Sequence, residues 1–296
     1  MLVDSAGLYF RAFYGVPESV TAPDGTPINA VRGFLDMVAT LGQQRQPDRF
    51  VACLDADWRP AFRVALVPTY KAHRVAADGG EEVPAALVRQ VPILLDVLAA
   101  LGLAVTGAPG FEADDVIATL AAKDADLVEV VSGDRDLFGV VTDRVSLLYV
   151  GRGVSKMAAY SPAAVTDKYG IPAQHYADFA AMRGDPSDGL PGVPGVGERT
   201  AAALVNRFGG IEEILAAAQA SADGFPVGSR AKILAAADYL AVAPAVVRMR
   251  TDVPLDDLDD VIPAEPANAA LLAELAERHG IASSVTRLCK ALQISR

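Results

Sequence analysis

The run Leu127-Val-Glu-Val-Val-Ser-Gly-Asp-Arg-Asp-Leu137 decides how the rest of the chain reads. Leu127–Val131 is apolar and rich in β-branched residues, the composition of a buried strand. Ser132-Gly133 ends it, and Asp134 and Asp136 follow at once. Open α/β sheets bind ligands beyond the carboxyl ends of their strands. Working outward, the same pattern recurs. Asp4 follows Met1–Val3, and Asp55 follows Arg49–Leu54. Leu103–Thr106 leads into a helix, Phe111–Lys123, that opens with Glu112, Asp114 and Asp115. A fifth strand is read at Val145–Val150.

Helical periods lie between these strands. Val31, Phe34, Leu35, Val38 and Leu41 share one face, with Gly42 as the stop. Leu87, Val91, Leu94, Leu98 and Leu101 share another, with a kink at Pro92 and Gly102 as the stop. Strands alternating with helices predict an α/β fold: a mostly parallel sheet flanked by helices. From about Ser161 only helices are read. Ser161-Pro162 is a cap followed by Pro at the first helical position, and Gly170 a stop. Helices follow over 172–183, 197–208, 211–219 and 228–243. Two amphipathic helices, 267–280 and 283–292, close the chain and are expected to pack back on the first half. The expected organisation is a core over 1–160, a helical region over 161–260 and C-terminal helices over 261–296.

Of the 296 residues, 52% are hydrophobic and 21% charged, enough to bury a core and too apolar for disorder. No stretch reaches the roughly 20 apolar residues of a membrane span. The N-terminus lacks a signal-peptide pattern. Cys53 and Cys289 make neither a disulfide framework nor a zinc set. A cytoplasmic location is expected. The net charge of −11 argues against a nucleic-acid binder if the acids are evenly spread. They are not. Asp185 and Asp188, in the loop 184–190, bring the acids at element ends to nine. Setting those nine aside leaves −2, no barrier to a polyanion.

Alone, Asp4 reads as a strand-end turn residue and Asp134 as a turn or cap. The coincidence of several strand ends carries the argument. Gathered in one cleft, such carboxylates repel severely unless cations join them. Hard oxygen donors without a His or Cys set favour Mg²⁺ or Mn²⁺ over zinc. Paired divalent ions suit phosphodiester hydrolysis. Asp143, Asp256, Asp257, Asp259 and Asp260 are read as solvated loop charges.

Two segments suit a phosphate backbone. Arg59, Arg63, Lys71, His73 and Arg74 fall in an acid-free stretch interleaved with Trp58, Phe62 and Tyr70. A solvated amphipathic helix is the plain alternative, and His73 is read as a surface residue. The low-complexity stretch 76–80 after it suggests a mobile element. The second segment is Leu190-Pro-Gly-Val-Pro-Gly-Val-Gly-Glu-Arg-Thr200. Glycines at 192, 195 and 197 let backbone amides approach an anion at a helix start, with Arg199 and Arg207 in support.

These motifs, in order, resemble the bacterial 5′→3′ exonuclease and flap endonuclease family, which includes the N-terminal nuclease part of DNA polymerase I. The residues are Asp4-Ser-Ala, Leu54-Asp-Ala with Phe62-Arg63, Tyr70-Lys-Ala-His-Arg74, Phe111-Glu-Ala-Asp-Asp115, Ser132-Gly-Asp-Arg-Asp-Leu137 and Gly184-Asp-Pro-Ser-Asp-Gly-Leu-Pro-Gly-Val-Pro-Gly-Val-Gly197. With no polymerase portion after Arg296, a free-standing nuclease or isolated nuclease domain is expected. The resemblance implies a PIN-like core, a helical arch (about 58–90) and a helix–three-turn–helix element. It implies a first metal group of Asp4, Asp55, Glu112, Asp114 and Asp115, and a second of Asp134, Asp136, Asp185 and Asp188. Lys71 would meet the scissile phosphate, with Arg63 and Arg74 in support. Gly192, Val193, Gly195, Gly197 and Arg199 would grip duplex backbone, in this family often around a monovalent cation such as K⁺. Tyr70 and Tyr9 are candidate DNA contacts, although core packing also accounts for Tyr9 and Phe13.

The sequence departs from the family pattern at Asp55-Ala-Asp57-Trp58-Arg59, which lacks a glycine and leaves Asp57 as a rival to Asp55. The expected substrates are DNA with a 5′ single-strand/duplex junction and RNA–DNA hybrid primers, in replication and repair. A monomer associated with the nucleoid is expected, with a DNA polymerase or ligase as partner. A PIN-type ribonuclease would lack the Pro-Gly hairpin, and a non-catalytic junction-binding module would not need nine acids.

Overall fold

The computed structural model describes residues 1–124 and 126–295; Ala125 and Arg296 lie outside the described residues. Its first half contains β1 (Leu2–Asp4), α1 (Ser5–Gly15), α2 (Asn29–Arg45), β2 (Val51–Cys53), α3 (Ala61–Leu66), α4 (Ala85–Val88), α5 (Gln90–Leu101), β3 (Ala104–Thr106), α6 (Ala113–Lys123), β4 (Val128–Ser132), β5 (Val145–Tyr149) and β6 (Ala158–Tyr160). Helices follow: α7 (Pro162–Tyr169), α8 (Tyr176–Arg183), α9 (Glu198–Phe208), α10 (Ile211–Gln219), α11 (Ser229–Ala235), α12 (Ala237–Val247), α13 (Ala269–Arg278) and α14 (Ala282–Ala291).

The sheet has the order β3-β2-β1-β4-β5-β6. Its first five strands run parallel, and β6 is antiparallel to β5. Period-two alternation builds three layers from it. Leu2, Val51, Val130 and Leu147 face a cluster with Ile117, Phe138 and Phe179. Their neighbours Val3, Ala52, Val131 and Leu148 face the opposite cluster, with Phe34, Leu98 and Leu288. Strand order reverses between β1 and β4, which opens a crevice at their carboxyl ends.

Several expectations need correction. Gly42 is no stop: α2 continues to Arg45 and ends on Gln46 in the left-handed region. Gly42 is instead a point of close approach, because a Cβ there would stand 2.7 Å from Leu292 Cδ2. Helix α14 lies on this face, and Arg287 pairs with Asp36 at 2.6 Å. At Pro92 there is no kink: the helical run breaks earlier, at Arg89 between α4 and α5, and Pro92 sits in the first turn of α5. The run 228–243 is two helices meeting at Ala236. Strand β6 was not anticipated. Asp260 is not merely solvated: it accepts a 2.8 Å bond from Arg49 Nε. Gly102 and Gly170 do end their helices with positive φ, and Ser161 caps α7 through the Ala164 amide.

The 58–90 segment, expected as a helical arch, is a strap built of short helical pieces. It holds α3, a 3-10 turn at Ala72–Arg74 and α4. Between these, the stretch read as mobile forms a bonded turn: Ala76 N–H to Gly80 O, Gly79 N–H to Ala76 O and Glu82 N–H to Arg74 O. Among the described residues, no helix is long and apolar enough to cross a membrane.

Candidate active site

Asp4 ends β1 and caps α1. Its Oδ1 accepts from the Gly7 amide at 2.8 Å, and its Oδ2 accepts from the Ser132 hydroxyl at 2.6 Å. Gly7 is required by clearance: a Cβ there would lie 2.3 Å from Asp4 Oδ2. Ser132 ends β4, and its Oγ also accepts the Asp134 amide at 2.9 Å. The two central strands are therefore tied through one hydroxyl, with Asp134 hung from it. Asp55, just past β2, accepts the Ala113 amide at 2.7 Å, which docks the start of α6 beside it. Asp57 instead accepts from Arg59 N–H within its own turn and leaves the crevice to Asp55.

A cleft of about 150 Å³ is lined by Asp4, Asp55, Glu112, Asp114 and Asp134, with Lys71, Arg74 and Glu81 across from them. A narrower space of about 20 Å³ joins Glu112, Asp114 and Asp134 to Asp136 and Asp188. A larger cavity, about 360 Å³ beside Ala118, Ala121 and Met249, holds no carboxylate. The acid cleft is the better place for phosphate chemistry, since it alone of the two offers the carboxylates that can hold cations beside a phosphate. Asp185 lies behind the second group, accepting the Ser187 amide at 2.9 Å. Asp188 accepts from Arg74 at 3.1 Å.

Burial pushes up the Asp4 carboxyl, against the opposing bonds from Ser132 and Gly7. Asp114 is raised further by burial and by the charges of Asp134, Asp4 and Glu112. Asp136 rises through burial, Asp134 and Asp188. Asp55 touches solvent at the rim. Even so, packing and the neighbouring Asp4 charge push it up to about 7 despite the Ala113 bond. The acids sense one another across both groups, with Asp134 common to the two.

Lys71 enters this field from the strap. Its backbone is held left-handed, at φ 48°, and its N–H bonds to Asp188 O at 2.9 Å. Its ammonium donates to Glu112 Oε1. Burial alone would weaken the ammonium, but Glu112, Tyr70 and Asp188 hold it protonated well above its usual range. It is a tethered cation among the carboxylates. Among the described residues, no three His, Cys, Asp or Glu side chains stand together closely enough to hold a metal ion. The donor set itself is all oxygen and electrostatically crowded, and an ammonium already sits in it. Those features fit hard divalent cations.

Four expected site residues are engaged within the protein. Asp115 is fully buried and points away from the cleft. It accepts from Arg63 at 2.6 and 2.7 Å and from the Arg250 amide at 2.8 Å. With Glu112 it also completes a capping box on α6. Arg63, expected to support the phosphate, is 3% exposed and works as an internal strut. It binds Asp115 and Glu112 and reaches Val246 O at 2.9 Å. Tyr70 is buried too, and its hydroxyl donates to Glu112 Oε2 at 2.8 Å, so its ring is not free to stack on a base. Tyr9 packs on Phe10 with ring centroids 5.4 Å apart. Glu81 and Ser132 are site residues that sequence reasoning missed. Ser132 had a signal in its place at the end of the β4 run, two residues before Asp134, while Glu81 lies just past the stretch read as mobile.

The hairpin stands apart from the acids. Val193 N–H bonds to Met182 O at 2.8 Å and Val196 N–H to Val193 O at 2.9 Å. Gly192 lies against Gly184, where a Cβ would meet the Gly184 nitrogen at 2.6 Å. Gly197 caps α9 with no side-chain bond, which leaves the first-turn amides to the hairpin side. Arg199 is exposed there.

Comparison with known proteins agrees with this geometry. Residues 1–170 match the family model of the 5′-3′ exonuclease N-terminal resolvase-like domain, and residues 171–269 that of the 5′-3′ exonuclease C-terminal SAM fold. A 5′-3′ exonuclease of Mycobacterium tuberculosis is 51% identical over 99% of this chain and 97% of its own. One from Streptomyces coelicolor is 50% identical over 99% of both. DNA polymerase I of Mycobacterium bovis is 43% identical over 73% of this chain, which spans only 24% of that protein. The T5 D15 protein co-crystallised with metal ions shares the fold, with a TM-score of 0.64 at 17% identity, covering 100% of this chain and 99% of that one. The catalytic core of Rad2 with a DNA substrate does too, at 0.62 and 15%, covering 98% and 92%. The PIN-like resolvase layer and the helical half are thus those of a nuclease, and the chain belongs to the 5′-3′ exonuclease and flap endonuclease family.

Proposed function

We propose that this nuclease hydrolyses DNA phosphodiesters at 5′ ends and flap junctions, with Mg²⁺ or Mn²⁺, and removes RNA primers from RNA–DNA hybrids. The observation that carries it is the placement of Lys71 among carboxylates from separate elements at the β1/β4 crevice. Asp4, Asp55, Glu112 and Asp114 would hold one ion, and Asp134, Asp136, Asp185 and Asp188 a second. Bound divalent ions supply a hydroxide nucleophile and charge stabilisation. The chain's own residues do the rest. Ser132 and Gly7 fix Asp4, while Arg63 and Tyr70 fix Glu112. Lys71, released from Glu112, offsets charge on the phosphate. Arg74, anchored on Ser187 O at 2.7 Å, supports the same strand. The hairpin 192–197 holds duplex backbone without reading sequence. The Gly195 carbonyl of that hairpin, where a monovalent cation such as K⁺ is one expected occupant, receives the ammonium of Lys232. A monomer working with a DNA polymerase or ligase at the nucleoid completes the reading.

The test is cleavage of labelled flap, nicked and RNA–DNA substrates across a Mg²⁺ and Mn²⁺ titration. Asp134→Asn is expected to lower turnover by at least about 100-fold, since ligands matter more than the groups that orient them, while DNA affinity stays within about two-fold. Full activity in Asp134→Asn, or cleavage undiminished by chelation, overturns the assignment.

A further inference from the structure

Lys232, on α11, lies along the tip of the hairpin. Its ammonium donates a 2.8 Å hydrogen bond to the Gly195 carbonyl. The fit extends along the side chain: a Cβ on Gly195 would stand 2.8 Å from Lys232 Nζ and 3.2 Å from its Cε. Gly195 also has φ 75°, so both its backbone and its clearance select glycine. Hairpin tip and lysine are matched. Lys232 remains exposed, and no ion pair to it is found among the described residues. An ammonium carries three donors. One is spent on Gly195, and two are left for solvent or a ligand. Arg199 and Arg230 are exposed on the adjoining helices α9 and α11.

We infer that Lys232 is the hairpin's built-in cation. Its ammonium satisfies the tip carbonyl and shares its remaining protons with a DNA phosphate at the hairpin tip, so duplex binding there requires no free monovalent ion. A tethered charge has no dissociation equilibrium of its own. It therefore acts equally in any monovalent salt, whereas a carbonyl cage selects an ion by size. The inference rests on the reading that the hairpin contacts duplex backbone, and the experiment separates the two.

Equilibrium binding of a labelled duplex with a 5′ overhang is measured on the full chain carrying Asp134→Asn, in KCl and in LiCl at equal ionic strength. With Lys232 present, affinities in the two salts agree within about two-fold. Lys232→Met lowers affinity about ten-fold, the size of one charge-assisted hydrogen bond. It also reduces the slope of log affinity against log salt by about 1 and makes binding tighter in K⁺ than in Li⁺. Lys232→Arg stays within about three-fold of the parent. An unchanged melting temperature in Lys232→Met confirms that an exposed substitution leaves the fold intact. If the parent itself binds at least five-fold tighter in K⁺, or if Lys232→Met binds like the parent while Arg199→Ala is weakened, the built-in cation is overturned alone. If both variants bind like the parent, the hairpin reading falls as well.

Discussion

The Ser132 hydroxyl donates a 2.6 Å hydrogen bond to Asp4 Oδ2, joining the ends of the two strands between which the sheet reverses its order. Ser132→Ala leaves a buried carboxylate oxygen without its donor and costs about 1–3 kcal/mol, read as a lower urea midpoint. It also removes an influence that lowers the Asp4 carboxyl. The acid limb of the pH–rate profile is expected to move to higher pH. An unchanged midpoint and profile would show that the hydroxyl is incidental.

Arg63 is the only cation in contact with the buried Asp115 carboxylate among the described residues. Arg63→Met strands that charge and removes one of the three side chains that donate to Glu112, at about 3–5 kcal/mol of stability. Arg63→Lys recovers little of it, because a lysine cannot span two acceptors in a plane. Denaturant unfolding measures both variants. A loss confined to DNA affinity, with stability intact, would restore Arg63 to a phosphate-contacting role.

Protons and metal ions compete for the same carboxylates, and each stabilises the fold when bound. Asp55 rises from 3.8 to about 7 in the folded chain, and Asp4, Asp114, Asp136 and Asp188 shift the same way. A carboxyl raised on folding adds stability that is whole below pH 3.8 and is lost as pH climbs through 7. The chelated protein is therefore expected to melt at lower temperature at pH 8 than at pH 5. Mg²⁺ or Mn²⁺ should raise the melting temperature more at pH 8, because binding needs the deprotonated form. Calorimetry at the two pH values decides it, and a metal effect equal at both would contradict the shift.

Gly42→Leu drives a side chain into Leu292 and should lift α14 from α2. Overpacking of this kind costs about 1–3 kcal/mol. The acid cleft lies at the other side of the fold, so turnover per folded molecule should hold. Thermal unfolding and specific activity, taken together, check this.

Much of the fold was legible because its signals are local. Runs such as Val128–Val131 lie mostly buried and favour branched apolar residues, and three of them, β1, β2 and β4, lead into an acid that stays put whatever packs around it. Strand β6 was invisible because Ala158-Ala159-Tyr160 carries no branched residue and pairs only at an edge. Gly42 was misread because a glycine can end a helix or let another helix come close, and the partner, Leu292, is 250 residues away in sequence. The direction of a carboxylate was the harder quantity. Glu112 and Asp115 share a helix face, as their spacing predicts, yet both turn to Arg63, and only Glu112 also reaches the cleft. Sequence shows that acids gather at strand ends; it does not show which of them an internal arginine will claim.

The carboxylates come from positions as far apart as Asp4 and Asp188, and β4 must slot between β1 and β5 before the two halves of the cleft face each other. If the proposed ligands are the working set, no fragment emerging from the ribosome owns all of them until the helical half has begun to form. A polypeptide still in synthesis, or one frayed by heat, is thus harmless to the chromosome, and competence to cut becomes a report that the whole architecture has closed.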